Sequence, residues 1–424
     1  MKNFIKKFFF NSNNLDYISR DIRDLTINTP ANRIFEAINI YSDESEIRYV
    51  GGCIRKIIVK EEVDDIDFAT NLEPEQVCDA LRKKKINYHE TGKEHGTITA
   101  LIEKYKFEIT SLREDISTDG RHAKVRFSKN WKEDASRRDF TINSIYSDKD
   151  GNIFDPFEGK KDLEAGYIHF IGDPDKRIKE DYLRILRYLR FFLNYSNHPH
   201  NPKTISKIKM NIGGISRLSK ERLLNELKKM AKLEIFEKLS NDKVSLELIS
   251  IIFPELKNFN IFLRLDLSKK NILKEKDFIF LLSLMIIGEK DNVDYFLYKF
   301  NISKKNQKRI RIIENFYKEK VNSKTFTEKN INKLFYYDGR QAVLDILNFK
   351  IIKSKKLDKN LKQLSEIYKI KAIPKIPIDA SVLMTKYHIP EGKELGTKLK
   401  MIEEEWIKND FKISEKQIHT IVEN

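Results

Sequence analysis

The glycines and prolines of this chain are unevenly distributed, and their distribution divides it into two architectures. Nine of the fifteen glycines lie between Gly51 and Gly172, among short runs such as residues 96–102 in which apolar and polar residues alternate. Alternation with a period of two is typical of strands with one buried face. Between residues 217 and 373 the only proline is Pro254, and apolar residues recur at helical spacing. We therefore predict a mixed α/β first part and a helical second part.

The size and charge of the chain narrow the classes of protein to which it can belong. With 424 residues it exceeds the usual size of one compact core, so we expect several domains. Lysine and arginine outnumber aspartate and glutamate by 80 to 64, which gives a formal charge of +16. Such an excess makes a polyanion such as RNA a natural partner. A lysine-rich genome would produce the same excess, so charge alone leaves both explanations open.

The cysteine content and the apolar segments indicate in which cellular compartment the protein is expected. Cys53 and Cys78 are the only cysteines, which excludes a disulfide framework and a four-cysteine zinc site and fits a reducing compartment. The longest apolar run, residues 278–288, is far shorter than the ~20 residues of a membrane-spanning helix. Residues 1–10 are basic and aromatic but lack the apolar region and cleavage site of a secretory signal. We expect a cytoplasmic protein, with a mitochondrial one as the alternative, and neither a membrane nor a stable protein partner.

A double glycine follows the strand-like run at residues 47–50 and precedes a short helical pattern. Gly51 and Gly52 would let backbone N–H groups approach phosphate oxygens, and the helix start adds partial positive charge. Arg55, on the first turn of that helix, adds a fork of donors. The pattern predicts a cradle for a triphosphate, although an ordinary strand-to-helix turn has the same appearance.

Two aspartates separated by one residue follow thirteen residues after Gly52. On a strand, Asp65 and Asp67 share one face while Ile66 and Phe68 point into the core. Adjacent carboxylates repel each other unless a cation lies between them, and Mg²⁺ prefers a few carboxylates completed by water and phosphate oxygens. We predict that Asp65 and Asp67 bind Mg²⁺ and are catalytic. The alternative is a solvent-facing acidic strand.

Glu108 lies between Phe107 and Ile109, so it also points away from the core of its strand. Three carboxylates on neighbouring strands would hold two metal ions about 3.5–4 Å apart. We therefore predict a catalytic role for Glu108, with a surface glutamate on an edge strand as the alternative.

A basic pair followed by an acid occurs in the run 137–143. Arg138 can meet phosphate or ribose oxygens, and Asp139 can accept a hydrogen bond from a sugar hydroxyl. We predict that both bind nucleotide. The same residues would also suit an interdomain cluster of salt bridges.

The run 177–192 is strongly helical, and its acid and arginines recur at three-residue steps. Asp181 and Arg184 would therefore be neighbours on the helix surface. An acceptor beside a donor matches the Watson–Crick edges of cytosine and adenine and opposes those of guanine and uracil. The pair is thus predicted to select CTP and ATP, and the alternative is an ordinary intrahelical ion pair.

In this order, the segments resemble the nucleotidyltransferase superfamily that includes the class II tRNA CCA-adding enzymes and the bacterial poly(A) polymerases. The resemblance spans roughly residues 48–192 and implies an α+β protein. It has a polymerase-β-like nucleotidyltransferase head, a mixed sheet with helices, followed by an all-α neck, body and tail. The implied boundaries are 1–30 for an N-terminal extension, 31–165 for the head, 166–230 for the neck, 231–373 for an RNA-binding body and 374–424 for the tail. The resemblance also implies nucleotide contacts by Gly52, Arg55, Arg138, Asp181, Arg184, Arg187 and Arg190, and Mg²⁺ at Asp65 and Asp67.

Shorter stretches, residues 91–97, 118–122, 155–163 and 390–406, are also similar to that family. One departure is Lys56, where the family usually has an aspartate near the triphosphate, so nucleotide affinity is expected to be altered. A basic Gly-Arg-Arg-Phe segment typical of poly(A) polymerases does not follow the aspartate pair.

The resemblance therefore implies template-independent addition of CCA to the tRNA 3′ end from CTP and ATP, with Mg²⁺ as cofactor. Enzymes that add only CC or only A, poly(A) polymerases, and a non-catalytic tRNA-binding protein remain as alternatives.

Overall fold

The computed structural model describes residues 17–118, 123–288, 292–318, 328–354 and 358–423. These residues form two compact units, Met1–Leu227 and Lys228–Asn424. The predicted similarity at residues 119–122 and the first 16 residues of the predicted N-terminal extension lie outside the described residues. The predicted five-part division remains a prediction.

The first unit contains the sheet. Its strands are β1 (Ile47–Val50), β2 (Ile66–Thr70), β3 (Asn87–Gly92), β4 (Thr97–Ile102), β5 (Tyr105–Ser111), β6 (Arg113–Thr118), β7 (Ala123–Phe127), β8 (Tyr146–Ser147) and β9 (Ile153–Phe154). Seven of them form one sheet in the order β3-β4-β5-β2-β1-β8-β9, and β6 pairs with β7 separately. The pair β2–β5 is parallel and the other pairs are antiparallel, so the sheet is mixed, as predicted.

Helices of the first unit cover this sheet and continue beyond it. They are α1 (17–28), α2 (Ala31–Asn39), α3 (Gly52–Ile58), α4 (Pro74–Lys83), α5 (Trp131–Arg137), α6 (Gly159–Ala165), α7 (Pro174–Glu180), α8 (Leu183–Tyr195), α9 (Pro202–Asn211) and α10 (Lys220–Lys229). Short 3₁₀ turns lie at Thr141–Asn143 and Ile212–Arg217. The aromatic rings of Phe35 on α2, Tyr49 on β1 and Phe68 on β2 pack together, with centroids 4.9–5.4 Å apart. This apolar layer fixes β2, whose opposite side chains form the site described below.

The helix predicted over residues 177–192 is interrupted. The structure has α7 and α8 in its place, and Asp181 between them is extended, with φ −153° and ψ 106°. The Asp181 carboxylate accepts a hydrogen bond from the backbone N–H of Leu183, 3.1 Å away, which caps the start of α8. The helical periodicity is therefore real on both sides, but the capping contact ends one helix and begins the next.

The second unit is helical in the part that the structure describes, as predicted. Its helices are α11 (Leu233–Asn241), α12 (Lys243–Ile252), α13 (Leu267–Lys274), α14 (Phe278–Ile286), α15 (Val293–Lys299), α16 (Lys304–Lys318), α17 (Glu328–Lys353), α18 (Lys359–Ile370), α19 (Ala380–Lys386), α20 (Lys393–Lys408) and α21 (Glu415–Glu423). A kink interrupts α17 at Gly339, whose φ of 81° favours glycine. No helix among the described residues is long and apolar enough to cross a membrane.

The described residues of the second unit include two apolar clusters. One lies between α17 and α18 and includes Phe335, Val343 and Tyr368. The other is built by the last three helices and includes Leu383 and Ile402. The last three helices therefore share an apolar core, and the predicted tail stays a prediction.

Candidate active site

Three carboxylates converge on one face of the sheet. Asp65 immediately precedes β2, Asp67 lies within it, and the parallel pairing of β2 with β5 places Asp67 opposite Glu108. Phe107 and Ile109 on β5 are fully buried, so Glu108 between them is exposed. The structure thus brings together the three residues that were predicted to be catalytic.

The electrostatics of Asp67 show how crowded this face is with negative charge. Burial, followed by the negative charges of Glu108 and Asp65, raises the pKa of Asp67 to about 6. The positive charges of Arg138 and Arg55 act in the opposite direction. A bound cation would relieve the repulsion among these carboxylates.

The donor set fits a hard divalent cation. Carboxylate oxygens are the ligands that Mg²⁺ prefers, and it completes its shell with water and phosphate oxygens. Among the described residues, no group of three or more His, Cys, Asp or Glu side chains is arranged so that it could hold a metal ion. Asp65 and Asp67 therefore remain predicted ligands of an ion whose shell water and phosphate oxygens would complete.

The glycine turn lies beside this face. Gly51 has φ 70° and donates its backbone N–H to the carbonyl of Ile145, at 3.1 Å. The left-handed conformation explains the glycine at this position. Gly52 begins α3, and a Cβ placed there would meet nothing within 4 Å. The α-carbon of Gly52 therefore faces open space, which leaves room for a ligand against the backbone.

Arg55, predicted to bind the triphosphate, is only 7% exposed. Its Nη1 donates to the side-chain oxygen of Asn143, and its Nε donates to the hydroxyl of Tyr195, 3.4 Å away. The guanidinium carbon lies 4.7 Å from the centroid of the Phe191 ring. Arg55 therefore joins α3 to α8 and adds positive charge near Asp67.

A polar relay continues from Arg55 through the 3₁₀ turn. Asn143 donates to Asp139 Oδ1 at 2.8 Å, and Arg187 on α8 pairs with Asp139 Oδ2. Burial would raise the pKa of Asp139, but the adjacent charge of Arg187 holds it well below its usual range. Both oxygens of Asp139 thus have protein partners, and its predicted contact with a sugar hydroxyl stays a prediction.

Arg138 is held next to Asp67 by a second buried acid. Its Nη2 lies 3.1 Å from Asp134 Oδ2, and its Nε donates to the hydroxyl of Tyr146 at 3.0 Å. Burial alone would raise the pKa of Asp134, but the charges of Arg137 and Arg138 lower it to about 2. The guanidinium of Arg138 is therefore fixed in place before any ligand binds.

The two residues predicted to read the base do not pair with each other. Asp181 Oδ2 lies 2.7 Å from Nη2 of Arg222 on α10. Arg184 donates to the carbonyl of Arg177 at 2.8 Å and pairs with Glu180. Both side chains are partly exposed, so each is oriented by a partner while part of it stays accessible.

Several residues of this network were not identified from the sequence. Arg222 orients Asp181, Asn143 links Arg55 to Asp139, and Glu226, 2% exposed, pairs with Arg190 at 2.8 Å. A charged residue on the apolar face of α10 was the available signal for Glu226. The contacts of Asn143 with Arg55 and of Arg222 with Asp181 had no local signal, because the two residues of each pair are distant in sequence.

Lys56, the departure from the family pattern, forms an ion pair with Asp64. Asp64 directly precedes the metal-binding candidate Asp65. The Asp64 side chain is 68% exposed, and such exposed pairs contribute little free energy.

These features define a nucleotidyltransferase head, and a model of the poly(A) polymerase head domain matches residues 47–169. Human mitochondrial CCA tRNA nucleotidyltransferase 1 is 31% identical over 408 residues, covering 89% of this chain and 86% of the human protein. The CCA-adding enzyme of Staphylococcus haemolyticus is 31% identical over 336 residues, covering 78% of this chain and 79% of that protein. The chain belongs to the family of CCA-adding tRNA nucleotidyltransferases.

A solved structure confirms the fold. The CCA-adding enzyme of Bacillus stearothermophilus, determined in complex with CTP, superposes with a TM-score of 0.68 at 18% identity. The match covers 92% of this chain and 95% of that one. The predicted resemblance and fold class are thus confirmed, and the family generally uses divalent metal ions.

Proposed function

We propose that this chain adds C, C and A to the 3′ end of tRNA without a template, using CTP and ATP and releasing pyrophosphate. The observation that carries the proposal is the placement of Asp67 opposite Glu108 on adjacent parallel strands, beside Asp65. Relatives named as CCA-adding enzymes span most of the chain and supply the substrate class.

The carboxylates bring the reacting groups together. The 3′-hydroxyl oxygen of the RNA attacks the α-phosphorus of the incoming nucleotide, and the bond from that phosphorus to the β-phosphate oxygen breaks. Asp65 and Asp67, with Glu108 as third carboxylate, would hold Mg²⁺, which would neutralise charge on the triphosphate and lower the pKa of the hydroxyl by a two-metal mechanism. Strand β2 and its neighbour β5 hold the three carboxylates in a fixed register.

The triphosphate is held beside these carboxylates. The open space at Gly52 lets phosphate oxygens approach the backbone at the start of α3. Arg138, fixed by Asp134 and Tyr146, offers guanidinium donors to a phosphate or the ribose. Because these donors are already oriented, little reorganisation is needed when the nucleotide binds.

Base selection falls to the start of α8. A carboxylate oxygen of Asp181 accepts from the amino group of cytosine or adenine, and Arg184 donates to the adjacent ring nitrogen. Uracil and guanine present the opposite order of donor and acceptor and would leave both side chains unmatched. Arg187 and Arg190, held by Asp139 and by Glu226, keep α8 in place.

The second unit binds the tRNA in this proposal. Its helices are rich in lysine, and Lys304 and Lys305 at the start of α16 are exposed. Phosphate contacts of this kind would make RNA binding weaken as salt rises. A cytoplasmic location agrees with the two free cysteines, while the human relative is named as mitochondrial.

The test uses tRNA that lacks its last three nucleotides, incubated with each triphosphate separately and then with CTP and ATP together. The proposal predicts addition of C from CTP alone, completion with ATP, and negligible use of UTP or GTP. Equal incorporation of UTP or GTP would contradict the role of Asp181 and Arg184. Addition of CC only, or of A only, would identify a single-step enzyme of the same family. Long A-tails on unstructured RNA would instead establish a poly(A) polymerase, and RNA binding without addition would establish a non-catalytic protein.

A further inference from the structure

Tyr182 occupies the two-residue break between α7 and α8, directly after Asp181. Its ring packs against Gly214 in the 3₁₀ turn Ile212–Arg217. A Cβ placed on Gly214 would lie 2.0 Å from Tyr182 Cε1 and 2.2 Å from Cδ1. Carbon atoms do not approach so closely, so this ring position requires glycine at 214.

The segment that contains Gly214 holds the break by two more contacts. The guanidinium carbon of Arg217 lies 5.7 Å from the centroid of the Tyr182 ring. Arg222, at the start of α10, pairs with Asp181 Oδ2 at 2.7 Å. The ring of Tyr182 and the carboxylate of Asp181 are therefore both held by residues 214–222.

The backbone at the break makes the direction of Asp181 dependent on Tyr182. Asp181 is extended, whereas Tyr182 has helical angles, φ −62° and ψ −16°. The two residues share a peptide plane, so a displaced Tyr182 ring that rotates its backbone also turns the Asp181 side chain. The hydrogen bond from Leu183 N–H to Asp181 Oδ1 depends on the same geometry.

We propose that Tyr182 and Gly214 are positioning residues that fix the orientation of the Asp181 carboxylate toward the incoming base and thereby set nucleotide selectivity. Tyr182 acts through Asp181, and the inference rests on the proposed function, in which Asp181 reads the base. Selectivity of this kind depends on a difference in binding between correct and incorrect nucleotides, so a small rotation of the acceptor lowers it.

Two alanine substitutions in the same turn give a matched comparison. Gly214→Ala places a methyl group into the Tyr182 ring, whereas a Cβ on Gly213 meets nothing within 4 Å. The full-length variants are assayed for single-nucleotide addition of CTP and of UTP to tRNA lacking its last three nucleotides, with thermal unfolding measured in parallel. We expect Gly214→Ala to lower the CTP-to-UTP preference in kcat/KM about tenfold. Gly213→Ala is expected to keep the parent preference within about twofold.

Substitutions of Tyr182 itself provide an independent test of the same contact. Tyr182→Phe keeps the packed ring and should retain the preference, whereas Tyr182→Ala should lower it as Gly214→Ala does. In the double variant Gly214→Ala/Tyr182→Ala the added methyl group no longer meets a ring. The double variant should therefore match Tyr182→Ala alone, a non-additive result that identifies the contact.

The outcomes distinguish a role of Tyr182 and Gly214 in nucleotide selectivity from a role in stability alone. A purely structural contact would lower the melting temperature and leave the CTP-to-UTP preference unchanged, and that result overturns the proposal. If Gly214→Ala does not fold, the contrast between Tyr182→Phe and Tyr182→Ala decides. A parent protein that adds no nucleotide contradicts the proposed function itself. A selective parent whose variants are all equally selective contradicts only the positioning role.

Discussion

The sheet and the helices contribute charged residues to the candidate active site in opposite ways. On the sheet side, Asp67 lies opposite Glu108 and next to Asp65 in the chain, and burial together with these two negative charges raises the pKa of Asp67. On the helical side, charged side chains meet opposite charges, as in the pairs Asp139–Arg187, Asp181–Arg222 and Arg190–Glu226. Repelling charges favour the binding of an exogenous cation, whereas matched charges hold their side chains in place before a ligand binds.

The largest expected effect concerns activity on the sheet side. Asp67→Asn should lower nucleotide addition on the order of a thousandfold, because the carboxylate no longer contributes to charge stabilisation in the transition state. The same change removes a repelling negative charge, so the free energy of unfolding should stay equal or rise. Initial rates of CTP addition and chemical denaturation measure the two quantities. Marked destabilisation by this variant would show that Asp67, like the paired charges on the helical side, stabilises the fold.

A comparable effect, this time on stability, is expected on the helical side. Asp139→Ala leaves the partly buried guanidinium of Arg187 without its counter-charge, which should lower the free energy of unfolding by about 3 kcal/mol. Urea denaturation at neutral pH measures it. Asp64→Asn, at an exposed carboxylate, is the matched control and should change stability by less than about 1 kcal/mol. Equal stability of the two variants would show that the relay through Asp139 does not hold α8.

A moderate effect is expected on the free energy of unfolding when the parent protein and Asp67→Asn bind the metal ion and nucleotide. Mg²⁺ with a non-hydrolysable CTP analogue, at about one hundred times the dissociation constant, should stabilise the parent protein by about 2.7 kcal/mol. Asp67→Asn should lose most of this gain because it lacks the carboxylate that is proposed to bind the metal ion. Thermal unfolding with and without the ligands gives the comparison. An equal gain in both proteins would place the metal elsewhere.

The smallest expected effect is at Lys56. Since the ion pair with Asp64 is exposed on the Asp64 side, Lys56→Met should change stability by about 0–1 kcal/mol and activity by no more than about twofold. Steady-state kinetics with CTP measures the second quantity. A loss of activity as large as that of Asp67→Asn would assign Lys56 to the catalytic face and remove the distinction between Asp64 and Asp65.

The sequence predicted the sheet side of the site better than the helical side. Alternation of apolar and acidic residues around Asp65, Asp67 and Glu108 is a local pattern, and it predicts on which side of the strand each carboxylate lies. The pairing of β2 with β5 then brings the three together. The break at Asp181 was not predicted, because periodicity continues through it and the local contact with the N–H of Leu183 is supplemented by tertiary ones. The ring of Tyr182 packs against Gly214, and Arg222 holds Asp181.

The partners of the arginines were also beyond local reasoning. Sequence spacing located Arg55, Arg187 and Arg190 but gave no indication that Asn143 and Glu226 would neutralise or orient them. Such partners come from distant segments, so only the folded structure identifies them.

The most direct test of the account is to sequence the 3′ ends formed when the parent protein acts on tRNA lacking its last three nucleotides, with all four triphosphates and Mg²⁺ present. If the carboxylates of the sheet bind the metal ion and Asp181 with Arg184 selects the base, the products end in CCA. The variant Asp67→Asn then leaves the tRNA unextended. Tails that contain U or G in proportion to the supplied triphosphates, or extension by Asp67→Asn at the parent rate, would contradict it.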